Sequence, residues 1–78
     1  MGELFKLSEL AKGSKGKIER IEGTIDFQRK IMEMGFIKGT EITLVRKAPL
    51  GDPLQVQLEG HSIAIRKKDS RNIFVKKD

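Results

Sequence analysis

Two stretches in the second half of the chain alternate apolar and polar residues with a period of two, the pattern of β-strands with one face in a core. In EITLVRK, Ile42 and Leu44 take one face and Thr43 and Val45 the other. In LQVQLEG, Leu54, Val56 and Leu58 point inward while Gln55, Gln57 and Glu59 point outward. Gly60 and His61 then make a tight turn into SIAIRK, whose Ile63 and Ile65 match that inward face. Upstream, KIERIEGT places Ile18 and Ile21 three apart, which breaks strict alternation and predicts a strand with a bulge or bend. DSRN reads as a turn with a single helical turn, and IFVKK as a last short strand whose lysines mark it as an exposed edge protected by charge.

One segment follows the helical period instead. Phe27, Ile31 and Met34 fall at i, i+4 and i+7, Asp26 is placed to cap the start, and Gly35 can take the left-handed conformation that ends it. The spacing predicts a helix over about 26–34, too short to persist without burying its stripe against a sheet, and Phe36 and Ile37 continue that contact. Ser8 as a cap, Glu9 in a first turn and Gly13 as a stop predict about one helical turn as a lead-in. About five short strands with one short helix imply a mainly β chain: a small SH3-like antiparallel barrel, residues 1–78 as one domain, with the helix covering an open end.

Composition removes several chemistries. The 78 residues include no cysteine, so thiolate metal cages, thiol nucleophiles and disulfides are absent. His61 is the one histidine, and its neighbour Ser62 would point to the opposite face of a strand, so no nucleophile and base can be assembled and no catalytic residue is assigned. His61 and Glu59 flank Gly60 and are weak candidate ligands for Fe(II) or another divalent ion, with Asp52 or Asp69 as further oxygen donors, but no spacing matches a dedicated cage and no cofactor is assigned. GSKGK, Gly13 to Lys17, lacks the four-residue gap and the Ser or Thr of a nucleotide-binding loop.

The N-terminus shows no basic region followed by an apolar run, and no apolar stretch approaches the length that spans a bilayer, so the expectation is a cytoplasmic protein that meets a membrane through a partner. The net charge is +5, and Arg66, Lys67, Lys68, Arg71, Lys76 and Lys77 concentrate the excess near the C-terminal end. Such a cluster suits nucleic acid, anionic lipid, an acidic protein face or simple solubility. Base stacking, however, needs exposed aromatic rings, and the chain has four Phe and neither Tyr nor Trp, which disfavours nucleic acid.

Between the two alternating strands lies KAPLGDP, Lys47 to Pro53. Pro49 and Pro53 fix φ, Gly51 permits a turn at positive φ, and Asp52 can accept from nearby backbone N–H groups, so the connection is stiff. A stiff turn loses little entropy on meeting a partner, which would make Leu50 an apolar tip for insertion. The same stiffness would also let Leu50 fold back and plug the end of the barrel.

Residues 35–69 together with the opening LFKLSELAKGSKGKI resemble the FeoA family, small cytoplasmic components of bacterial ferrous iron uptake. The resemblance rests on Met34-Gly35-Phe36, Gly39-Thr40, Arg46-Lys47, Ala48 to Pro53, Gly60 and Ile65-Arg66-Lys67, and covers nearly the whole chain. It implies an SH3-like barrel and a docking role on a large membrane ferrous iron transporter with a cytoplasmic G-protein domain. The family is also similar to the C-terminal domain of iron-dependent repressors of the diphtheria toxin repressor group, which keeps a metal-sensing module as one alternative; the basic charge keeps a small nucleic-acid-binding barrel as another. The expected partner surface is Leu50, Gly51 and Asp52 with Arg66, Lys67 and Lys68 close by.

Overall fold

The computed structural model describes residues 3–77. Its strands are β1 (Leu4–Lys6), β2 (Lys15–Ile21), β3 (Glu41–Lys47), β4 (Leu54–Leu58), β5 (His61–Ile65) and β6 (Ile73–Lys76). They form one antiparallel sheet in the order β1-β6-β2-β3-β4-β5. Two helices, α1 (Ile25–Glu33) and α2 (Lys67–Ser70), and a 3-10 turn at Leu7–Glu9 complete it. This is the mainly β architecture the alternation predicts, with one strand more.

The alternation in β4 holds: Leu54, Val56 and Leu58 are buried, and they meet Ile42 and Leu44 from β3, Ile65 from β5, and Ile18, Ile73 and Val75 from β2 and β6 in one cluster. Ile31 from α1, Phe36 beyond it, and Leu7 and Leu10 from the lead-in complete that cluster, so the sheet curls round a single core. The irregular spacing in β2 has the expected cause. Ile18 pairs with Val75 and Arg20 with Phe74, so two residues of β2 span one step of β6. A second shift lies in β3, where Leu44 pairs with Val56 and Arg46 with Gln55.

The C-terminal strand corrects an expectation. β6 is not an edge: it pairs with β1 through Phe5 and Val75 and with β2 through Ile21 and Ile73. The strand that covers it, LFK, has three residues and no alternation long enough to mark it in the sequence. Lys76, the one lysine within β6, is exposed at its end. The sheet's end strands are β1 and β5.

α1 starts at Ile25 because Thr24 caps it, its Oγ1 accepting from the Phe27 N–H at 3.1 Å. Asp26 is not the cap; it lies in the first turn, where a carboxylate favours the helix dipole. The far end is a glycine stop as expected. Gly35 has φ +107°, and the Phe36 N–H donates to the Ile31 carbonyl at 3.3 Å while both side chains bury together. Along the predicted stripe Ile31 is buried and Phe27 half-buried, but Met34 is exposed, and so is Ile37 beyond Phe36. In the lead-in, the 3-10 turn begins one residue before Ser8, and Glu9 rather than Ser8 secures it by accepting from the Lys6 N–H at 2.8 Å. The β4–β5 turn is Glu59-Gly60, both at positive φ, so His61 is the first residue of β5 and not part of the turn.

Candidate functional site

The connection from β3 to β4 is built as a rigid projection. Lys47 and Leu54 are the last ladder pair, and beyond them the Ala48 N–H donates to the Pro53 carbonyl at 2.9 Å. Inside that closure the Gly51 N–H donates to the Ala48 carbonyl at 2.7 Å, which makes Pro49 and Leu50 the two corners of a β-turn. Pro49 presets the first corner, and Gly51 leaves the turn at φ +83°, a conformation that other residues adopt only with strain. Leu50 is consequently held away from the sheet and is 94% exposed. The reading in which it plugs the barrel is overturned, because the bond pattern points the corner outward.

Asp52 turns back to the body of the protein. Its Oδ1 accepts from the Lys67 N–H, fifteen residues away, at 3.0 Å. Lys67 opens α2, and the residue before it, Arg66, has no acceptor with which to cap the helix itself. The loop therefore supplies the missing cap, and Gly51 and Lys67 come together: a Cβ built on Gly51 would lie 3.9 Å from the lysine Nζ. Asp52→Ala is expected to cost about 1 kcal/mol and to speed amide exchange at Lys67, while Asp52→Asn keeps an acceptor and most of the protection. An unchanged exchange rate in the alanine variant would show that the loop does not hold α2.

Two basic residues at the base of the loop are also tied. The Arg46 Nε donates to the Gln55 Oε1 at 3.2 Å, and the Gln55 Nε2 donates to the Ser62 Oγ at 2.8 Å. The Lys47 Nζ donates to the Ser8 carbonyl at 3.1 Å. The sequence reading of the surface left out Arg46 and Lys47, and the signal for them is register: Arg46 stands opposite Gln55 only because of the shift in β3. Arg66, Lys67 and Lys68 are all exposed. Among the described residues the ion pairs are Arg20–Glu22 at 3.0 Å and Lys38–Glu19 at 3.7 Å, so Arg66, Lys67 and Lys68 take part in neither. With Asp52 committed to the Lys67 amide, the loop presents an exposed apolar tip with the Lys67 side chain beside its Gly51.

Elsewhere, Glu59 borders an open polar cleft of about 780 Å³ with Lys15, Lys38 and Glu41, while His61 stands exposed at the start of β5. Among the described residues no three His, Cys, Asp or Glu side chains group as a metal site. An apolar groove of about 260 Å³ between β2 and α1 runs past Ile21, Met32 and Ile37, of which the sequence predicts Ile37 to join the helix contact. The rings of Phe5 and Phe74 are half-buried and covered by cations: Arg20 lies 4.9 Å over Phe74 and Lys77 5.8 Å over Phe5. That arrangement offers bases no open platform. No helix among the described residues is long and apolar enough to cross a membrane.

Comparison with known proteins follows the same line. The Fe(2+) transport protein A/Fe(2+) transporter FeoB fusion protein of Porphyromonas gingivalis is 39% identical over 71 residues, which is 91% of this chain and 8% of that protein. The chain thus spans a small part of that relative's length. The NMR structure of a FeoA-like protein from Clostridium acetobutylicum superimposes with a TM-score of 0.89 at 39% identity, covering 99% of this chain and 90% of that one. The FeoA of Stenotrophomonas maltophilia, an SH3 domain protein crystallised with zinc, matches with a TM-score of 0.78 at 31% identity over 91% of this chain and 88% of its own. The model of the FeoA domain matches residues 5–77, and the chain belongs to that family.

Proposed function

We propose that the chain is a non-enzymatic adaptor that docks through its β3–β4 loop on the GTP-hydrolysing component of a membrane ferrous iron transporter and supports Fe(II) uptake. The observation that carries this is Leu50, 94% exposed on a doubly hydrogen-bonded turn, with the exposed Lys67, which has no ion pair among the described residues, beside Gly51. Single exposed leucines are ordinary on protein surfaces, but one held at the corner of a pre-ordered turn meets a partner at low entropic cost. The Porphyromonas gingivalis relative supports the choice of partner, since it joins transport protein A and FeoB in one polypeptide. A domain that one protein carries in cis is well suited to act in trans in another.

On this reading the protein sits at the cytoplasmic face of the membrane through its partner and performs no chemistry itself. The zinc complex of the Stenotrophomonas maltophilia FeoA supports divalent-ion binding in this family, and Glu59 and His61 are the ligands to try first. The deciding experiment is ferrous iron uptake in cells lacking this gene, restored with the wild type or with Leu50→Glu. Uptake is expected to fall in the deletion strain and to recover with the wild type alone. Normal uptake without the gene would remove the transporter from the account.

A further inference from the structure

β5 ends the sheet, and its outer edge has no strand beside it among the described residues. The turn Glu59-Gly60 sets Leu58 opposite His61, so His61, Ile63 and Ile65 exchange hydrogen bonds with β4. Alternation then directs the N–H and C=O of Ser62 and Ala64 out of the sheet. Both residues are exposed. Natural edges are usually blunted by shortness, lysine, proline or a bulge. β1, at the other end, is three residues long and finishes in Lys6. β5 reads HSIAI over five residues, with no lysine and no proline, and stays in register with β4 throughout.

We propose that β5 pairs antiparallel with β5 of a second copy of this chain, about a two-fold axis at Ile63. In that register Ser62 of each copy stands opposite Ala64 of the other, and both outward donors and both outward acceptors of each strand are satisfied. The two Ile63 side chains meet in the close, non-hydrogen-bonded position of the ladder, each covering the half-buried core-side face of the other. The ends of the strand choose the occupant. Glu59 lies just before β5, Arg66 just after it, and Lys30 of α1 shares with Arg66, Met34, Ala64 and Asp69 a groove of about 200 Å³ beside the strand. Glu59, Arg66 and Lys30 have no ion pair among the described residues. Antiparallel pairing carries the Glu59 turn of each copy to the Arg66 end of the other, so one strand holds both halves of the complementary charge. This inference does not depend on the docking role of the β3–β4 loop. The charge of +5 on each copy opposes association, so a weak, concentration-dependent dimer is the outcome.

The test is sedimentation equilibrium from micromolar to millimolar protein, on the wild type and on Ala64→Pro. Proline at that position removes one outward donor per copy and no bond to β4. The association constant is expected to fall about tenfold or more, with the melting temperature little changed. In the wild type, amide exchange at Ser62 and Ala64 is expected to slow as concentration rises, and that measurement decides the matter if Ala64→Pro does not fold. A wild type that stays monomeric, a proline variant that dimerises equally well, or amides indifferent to concentration would overturn the proposal. Protection of the same two amides only on adding a different protein would also overturn it, by assigning the edge to a foreign strand.

Discussion

Leu50→Glu is expected to leave the chain folded and to weaken capture of the G-protein domain of a ferrous iron transporter by at least about tenfold. The reasoning begins with exposure. At 94% exposed, the Leu50 side chain contributes almost nothing to the core, and its backbone turn is held by bonds of Ala48, Gly51 and Pro53 that do not involve it. The folded state therefore loses little. In a complex the same side chain is the largest apolar group on the projection, and burying a leucine is worth about 1.5–3 kcal/mol, which is roughly a tenfold to hundredfold change in affinity. Glutamate would also bring a negative charge to a socket that, facing Lys67 beside the loop, is expected to be acidic. Titration of the purified domain by calorimetry, with melting curves of both variants, reads the two effects separately. Equal affinity of variant and wild type would show that the projection is only a connection.

Phe36→Ala carries the largest expected cost in stability. Phe36 is fully buried, the largest side chain in the cluster, and it lies directly after the glycine stop, where its N–H to the Ile31 carbonyl locks the end of α1 against the sheet. Removing a buried phenylalanine costs about 3–5 kcal/mol. A chain of this size has a total stability of roughly 4–12 kcal/mol, so the alanine variant is expected to be largely unfolded at growth temperature or to melt at least ten or so degrees lower. Phe36→Leu keeps much of the volume and is expected to cost less, roughly 1–2 kcal/mol. Urea denaturation of the three proteins measures the differences, and a loss below about 1 kcal/mol for alanine would mean that α1 is not anchored through this residue.

What the sequence discloses and what it withholds divide along the range of the interactions involved. The inward faces of β3, β4 and β5 are legible because alternation is local, and the bulge in β2 shows as a three-residue step between Ile18 and Ile21. The glycine stop at Gly35 is equally local. The position of β6 inside the sheet is not legible, because it depends on pairing with Leu4–Lys6 at the other end of the chain. Nor is the exact start of α1, since Thr24 and Asp26 are both competent caps and the choice rests on which hydroxyl or carboxylate reaches an N–H. The loop residues Leu50 to Asp52 are marked by their composition, yet their direction depends on bonds across the loop and to Lys67. The chain from Arg46 through Gln55 to Ser62 depends on cross-strand register and leaves no trace in any one segment.

The bond from Asp52 to the Lys67 amide has an engineering corollary. Transplanting Lys47–Pro53 alone onto a foreign hairpin would carry the corner but leave it free to swivel, because the anchor that fixes its bearing belongs to another part of the chain. The smallest portable unit is the heptapeptide together with the helical turn Lys67–Ser70 that it grips.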